Sequence, residues 1–190
     1  MLKTLAIILF ALALALIFGL EVWLKRRERT GADASRDGGT LKLISRCRNL
    51  AFLIAMTSAF YPLVALPGGR ASQLLTGATL VFAGFLLRFW AVAKLGPFYT
   101  NVVALSAEQR IIKTGPYKYA RHPGYSGALL FYLGIGIATG SLWGLVLIML
   151  LVAYAFGRRM KVEEKVMLEA FGQEYLDYMQ KTKKLIPRLF

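Results

Sequence analysis

Cysteine and histidine occur once each, as Cys47 and His122, in a chain of 190 residues. A disulfide framework and a cysteine-rich metal site are therefore excluded within one chain, and any metal would have to rest on carboxylates; no metal is expected. Carboxylates are themselves scarce, 10 Asp and Glu against 24 Lys and Arg, for a formal net charge of +14. Also missing is the order of strand, glycine-rich turn and helix that a Rossmann-type nucleoside site needs. A nucleoside cofactor, if one binds, must bind in another way. No internal repeat is visible.

What abounds is apolar surface. Hydrophobic residues make up 57% of the chain, too much for a soluble domain of this size, and a bilayer is the natural solvent. About 20 mainly apolar residues cross a hydrocarbon core of roughly 30 Å. Leu2 to Leu24 qualifies, broken by Lys3 and Glu21, as do Leu50 to Leu66 and Leu74 to Leu95, the latter with one internal charge, Arg88. The apolar region from Tyr125 to Phe156 is too long for one span and is interrupted by Ala138, Thr139, Gly140 and Ser141, which fits a helical hairpin. The expected fold is all-α and polytopic, with about five transmembrane helices in a single membrane domain, 1–190. Three helices fall in 1–95; a connecting loop, the hairpin and a helix continuing past the bilayer fall in 96–190.

A charge surplus of this size raises nucleic acid as a partner, but its distribution argues otherwise. Eight of the 24 basic residues lie between Lys25 and Arg48, five between Lys94 and Arg121, and eight between Arg158 and Arg188, whereas the connections at 67–72 and 139–141 hold only Arg70. With five spans, every basic block falls on one side, as the positive-inside rule expects. The N terminus is then outside and the C terminus cytoplasmic, in the inner membrane of a bacterium or archaeon, with membrane lipid as surroundings and no nucleic acid bound. A cleaved signal over residues 1–20 is the competing reading of the first run, but the positive block follows that run instead of preceding it. From Thr30 to Thr40 the Gly, Asp, Ser and Arg content reads as a flexible cytoplasmic loop.

The interval from Gly96 to Gly124 is the most informative. Its Gly96-Pro97, Gly115-Pro116 and His122-Pro123 steps break regular structure and leave bent backbone beside the membrane, where irregular chain survives only if protein or a polar ligand covers it. Beyond Phe156 the last helix continues, with Arg159 and Glu163 four apart on one face. Such pairs commonly decorate solvated helices, but this one begins where the helix leaves the bilayer, beside the proline-rich segment.

The run Ile111-Ile112-x-x-Gly115-x-Tyr117-x-x-x-Arg121-His122-Pro123-x-Tyr125, followed after the hairpin by Arg159-x-x-x-Glu163-Glu164 and Phe171-Gly172-x-Glu174-Tyr175-x-x-Tyr178, resembles the isoprenylcysteine carboxyl methyltransferases. Their wider relatives include the phospholipid N-methyltransferases. The resemblance covers residues 95–190; the first two helices carry no such signature. It implies a membrane enzyme that binds S-adenosylmethionine in a cytoplasm-facing pocket and admits a lipophilic or small-molecule acceptor between its helices. Carried over by position, Ile111, Ile112, Tyr117, His122, Pro123, Tyr125 and Glu163 would line the cofactor, and Arg159, the candidate catalytic residue, would face the acceptor. Where prenyl-protein members often carry histidine three residues before Ile112, this chain has Gln109.

These residue types suit the chemistry. Aromatic faces such as Tyr117 and Tyr125 can stack on an adenine or attract a sulfonium, Glu163 or Glu164 can accept from an ammonium or ribose hydroxyls, His122 can donate or accept, and a guanidinium at Arg159 suits a carboxylate. A carboxylate acceptor is already ionised at neutral pH, whereas an amine or thiol needs a base, for which only Glu164 or His122 stand out. Carboxyl methylation is therefore preferred. Phospholipid or small-molecule N- or S-methylation is the alternative within enzymology, and a non-enzymatic membrane scaffold or transporter subunit the alternative outside it.

Other residues have competing roles. Arg88 either meets a substrate head group or pairs with another polar side chain. Glu21 reads as an interfacial side chain, Asn101 as an acceptor-orienting group or a turn cap, and Trp90 and Trp143 as boundary anchors. Gly127, Gly134, Gly136 and Gly144 are expected to let the hairpin helices pack closely.

Overall fold

Glycine or proline marks nearly every helix end, and the ends define the architecture. A computed structural model describes residues 34–105 and 108–185, together with Ala15 and Gly19. Four long helices dominate it: α1 (Thr40–Phe60), α2 (Arg70–Leu95), α3 (Pro123–Thr139) and α4 (Leu142–Lys181). Among the described residues no strand forms; two isolated bridges, Ala65 with Ser141 and Ala120 with Lys183, tie loops together. α2 stops at Gly96, whose φ of +54° lies in the region open to glycine, with Pro97 next. α3 starts with Pro123 in its first turn, where the missing N–H costs nothing, and ends at Gly140 with φ +74°.

The helices run alternately up and down. At one end, the turn after α1 and the turn between α3 and α4 pair directly: Leu66 N–H donates to Gly140 O at 2.8 Å and Leu142 N–H to Val64 O at 2.8 Å. The Gln73 amide and the Arg70 guanidinium satisfy Leu66 O and Ala138 O beside them. At the other end lie the starts of α1 and α3, the end of α2 and the extension of α4, with the segment 96–122 between them. The core follows α4: Ile148, Val152, Phe156 and Met160 pack with Ala51 of α1 and Ala128 of α3.

The closest seam is between α2 and α3. A methyl group on Gly77 would stand 2.7 Å from Gly134 O, and one on Gly127 2.6 Å from Gly84 O. The small residues thus bring two backbones together, as in membrane helix pairs generally. Close packing at these glycines was expected within the hairpin; Gly136 does meet the hairpin partner, at Leu145, and Gly144 meets Thr139 as well as Ser58 of α1, whereas Gly127 and Gly134 face α2 instead.

Two helices among the described residues, 70–98 and 142–181, are long and apolar enough to cross a membrane. Large apolar side chains such as Phe52, Phe60, Phe82, Leu86 and Leu150 are exposed on the helix flanks, as a bilayer-facing surface requires. The run from Leu2 to Leu24, with Glu21, lies outside the described residues except for Ala15 and Gly19. The hairpin turn falls where the sequence placed it. The second helix does not: it begins at Thr40, ten residues before Leu50, and ends at Phe60. Lys42, Arg46 and Arg48 limit hydropathy but not helicity, and Pro62 disfavours helical backbone at Tyr61. Within the stretch from Thr30 to Thr40, read as a flexible loop, the described part, 34–40, needs correction. Ala34–Asp37 forms a 3-10 turn, and Asp37 is only 4% exposed.

Candidate functional site

A cavity of about 780 Å³ opens between α1, α2, α3 and α4 beneath the 98–112 segment, within the size range of small-molecule sites. Its character changes along the helices. Toward the end that bears the Pro-rich segment it is lined by Tyr117, Arg121, His122, Tyr125, Arg159 and Glu163; two to three turns further along it is lined by Phe52, Ala55, Phe85, Phe131, Tyr132 and Ile135. One compartment therefore offers charge and hydrogen bonds at one end and only apolar and aromatic walls at the other.

The polar end is built by three pieces of chain. His122 ends the Pro-rich segment just before α3, and its backbone is held from the far end of the sequence: Arg121 N–H donates to Lys183 O at 2.8 Å and His122 N–H to Lys184 O at 3.0 Å. Glu163 and Glu164 come from the extension of α4. The His122 ring lies between them, Nε2 3.2 Å from Glu164 Oε1 and Nδ1 3.5 Å from Glu163 Oε2. Burial by itself favours a neutral ring, but the hydrogen bonds and charges of the two carboxylates outweigh it and hold the His122 pKa above the ordinary histidine value.

Each carboxylate has further partners. Glu164, 7% exposed, accepts from Arg121 Nε at 3.0 Å and Lys184 Nζ at 2.9 Å. Glu163 accepts on Oε1 from the Tyr125 hydroxyl at 2.5 Å and Arg159 Nε at 2.8 Å. Its side chain is 25% exposed, so it stays reachable from the cavity. Arg159 is buried at 3%, with Nη1 on Asp37 and on the Thr40 hydroxyl and Nη2 on Asn101 O. Tyr117 is buried with its carbonyl accepting from the Tyr178 hydroxyl at 2.7 Å. Burial, then the charge of Glu163, pushes the Tyr117 phenol far above its ordinary range and keeps it neutral.

Of the residues expected at the site, Ile111, Ile112, Tyr117, His122, Tyr125, Arg159 and Glu163 all line this one cavity. Pro123 is buried behind it as the first residue of α3 and shapes the entry of that helix. Gln109, Arg88 and Asn101 also line it, with Asn101 accepting from the Tyr99 hydroxyl through Oδ1 at 2.9 Å. Trp143 lies away from the cavity lining and donates Nε1–H to Tyr61 O at 3.0 Å. Sequence reasoning gave no site role to Asp37, Arg121 or Lys184. An isolated Asp in a Gly-rich, polar stretch gives no sign of its partners 66 and 122 residues away.

A helical bundle with this cavity, polar at the helix ends and apolar along the spans, belongs to the class of all-helical intramembrane enzymes. Comparison with known proteins makes this specific. The model of the phospholipid methyltransferase family matches residues 72–174, and the chain belongs to that family; it is a membrane methyltransferase. A probable protein-S-isoprenylcysteine O-methyltransferase of Oryza sativa subsp. indica is 29% identical over 183 residues, covering 94% of each chain. Protein-S-isoprenylcysteine O-methyltransferase B of Arabidopsis thaliana is 27% identical over 149 residues, 76% of each. The solved structure of a eukaryotic intramembrane Ras methyltransferase, isoprenylcysteine carboxyl methyltransferase, shares the fold, with a TM-score of 0.61 at 21% identity. That likeness covers 76% of this chain and 52% of the other, so this chain spans about half the length of the solved one.

Proposed function

We propose that the chain uses S-adenosylmethionine to methylate the carboxylate of a lipophilic acceptor of the isoprenylcysteine type. The observation that carries the carboxylate is the absence of a free base among the groups considered for that role. His122 lies between two carboxylates that favour its charged form, and Glu164 is held by Arg121, Lys184 and His122. Both ring nitrogens of His122 face these carboxylates and Glu164 faces three cations, so each is engaged by a partner, whereas a carboxylate acceptor needs no proton removed.

The residues present fit the cofactor. Glu163 offers a cavity-facing carboxylate for an ammonium or ribose, Tyr117 and Tyr125 offer rings for an adenine or sulfonium, and Ile111 and Ile112 offer apolar contact. S-adenosylmethionine, when bound, supplies a methyl group on sulfur that is open to in-line displacement. The chain itself contributes position and dryness: Tyr125 and Arg159 fix Glu163, the His122 loop closes the polar end, and the aromatic walls exclude water from the reacting end. Arg159 is the group facing the acceptor carboxylate, and the apolar end of the cavity takes its hydrocarbon part, entering from the bilayer. The cofactor-facing residues belong to the catalytic half, 96–190, of one membrane domain, while α1 and α2 supply further walls of the cavity. In this reading the domain crosses the membrane five times with its N terminus outside, and the basic ends of the helices put the pocket on the cytoplasmic side.

The test uses purified protein in detergent with methyl-labelled cofactor. Wild type should bind it, and Glu163→Ala should weaken binding by about 10-fold or more. Label transferred to N-acetyl-S-farnesylcysteine should be released as methanol by alkali, as an ester requires. Base-stable label on phosphatidylethanolamine alone would replace carboxyl with amine methylation. No cofactor affinity in wild type would leave a membrane scaffold.

A further inference from the structure

Resting on the methyl-transfer reading, we infer that Asp37 is a positioning residue of this site: its carboxylate fixes the Arg159 guanidinium and pins the segment 101–103 against it. Asp37 Oδ1 accepts from Arg159 Nη1 at 2.5 Å, from the Val103 N–H at 3.1 Å and from the Thr40 hydroxyl at 3.1 Å, while Oδ2 accepts from the Leu41 N–H at 2.9 Å. Four donors from three separate pieces of chain thus converge on one carboxylate.

A guanidinium is planar, with its donors in a fixed fork. Glu163 holds Nε at 2.8 Å and Asp37 holds Nη1, so the plane has no freedom left, and Nη2 is directed to Asn101 O at 2.8 Å beside the cavity. Asp37 also supplies a second negative charge next to a buried cation. Without it, Arg159 would be drawn further onto Glu163, the one carboxylate in the site that is left accessible to a ligand. The two faces of the reaction are thereby separated: Glu163 stays available on the cofactor side because Asp37 carries part of the load on the acceptor side.

Asp37 does two jobs that one substitution divides. Its bond to Leu41 N–H through Oδ2 serves the start of α1, where the N-cap Gly39 has no side chain to offer. Arg159, Val103 and Thr40 all use Oδ1, so an asparagine with its oxygen on that side keeps those three acceptor contacts, turns its amide toward Leu41 and removes the negative charge beside Arg159. A residue that merely starts a helix loses only local protection at Leu41 in Asp37→Asn; one whose charge positions Arg159 loses turnover as well.

The experiment compares full-length wild type, Asp37→Asn, Asp37→Ala and Asp37→Glu in detergent. It measures cofactor affinity, kcat and KM with N-acetyl-S-farnesylcysteine, and hydrogen exchange at the Leu41 and Val103 amides. Asp37→Asn is expected to lower kcat/KM for the acceptor by about 10- to 100-fold, to leave cofactor affinity within about 3-fold, and to speed exchange at Leu41 but not at Val103; Asp37→Ala should speed both. Asp37→Glu, which keeps the charge, should recover part of the loss. Wild-type kcat/KM in Asp37→Asn overturns the inference, as does loss of cofactor binding in parallel with turnover, which marks a structural role only. If wild type itself transfers no methyl group, the functional reading falls separately, and unchanged Val103 exchange in Asp37→Ala then overturns the clamp.

Discussion

The α2–α3 seam and the cluster around His122 are both tightly assembled, but by opposite means. At the seam, Gly77 and Gly84 meet Gly134 and Gly127 with no charge between the backbones, and what matters is the absence of volume. At the cluster, Asp37, Arg121, His122, Arg159, Glu163, Glu164 and Lys184 share ion pairs, and what matters is the match of donor to acceptor. Within hydrocarbon, dispersion and close approach are the forces on offer; at the helix ends, charge can be used because partners compensate for burial. The seam should therefore respond to size and ignore pH and salt, and the cluster should do the reverse.

The largest effect is expected from Glu164→Ala, which leaves Arg121, His122 and Lys184 without their shared carboxylate. Breaking a buried pair in this way costs about 3–5 kcal/mol, to be read as lower thermal stability in detergent. Next is Gly127→Ala, where the added methyl meets backbone at Gly84 and Arg88, atoms that cannot rotate away. About 1–3 kcal/mol of overpacking strain is expected, with the same loss at high and low salt; a salt-dependent loss would break the contrast.

A smaller, pH-dependent effect belongs to His122. Its folded pKa is raised above the unfolded value by Glu163 and Glu164, so its contribution is fully present below about pH 6.5 and is lost as pH rises through the higher folded value. The stability gap between wild type and His122→Asn should narrow as pH is raised, and a gap that widens would reverse the assignment of charge. Smallest of all is Lys113→Ala. The Lys113–Glu174 pair spans 2.7 Å, but its side chains are 45% and 59% exposed, so no more than about 1 kcal/mol is at stake.

Legibility in the sequence follows the same divide. The two helices long and apolar enough to cross a membrane showed through as apolar runs, and the hairpin turn through Gly140 and Ser141. The site showed through where its residues form a close-spaced pattern: Ile111 to Tyr125, and Arg159 with Glu163 and Glu164, converge on one cavity as that spacing and the family resemblance implied. What could not be read were distant pairings. Hydropathy marked Leu50 as the start of a span but not Thr40 as the start of its helix, because basic residues sustain a helix outside lipid. Asp37 looked solvated because a lone acid in polar company usually is, and only the fold brings Arg159 and Val103 to it. The hairpin glycines were recognised as packing devices, yet their partner on α2 depends on helix rotation, which small residues alone do not define.

The strap formed by Thr182–Leu185 sets an order on biogenesis. Arg121 is separated from Thr182 by 61 residues, and between them the whole hairpin must be synthesised and lodged in the bilayer. Until Lys183 and Lys184 follow, the amides of Arg121 and His122 lack their carbonyl partners and Glu164 lacks the Lys184 ammonium. The polar end of the cavity is therefore completed only by chain that follows the hairpin in the sequence.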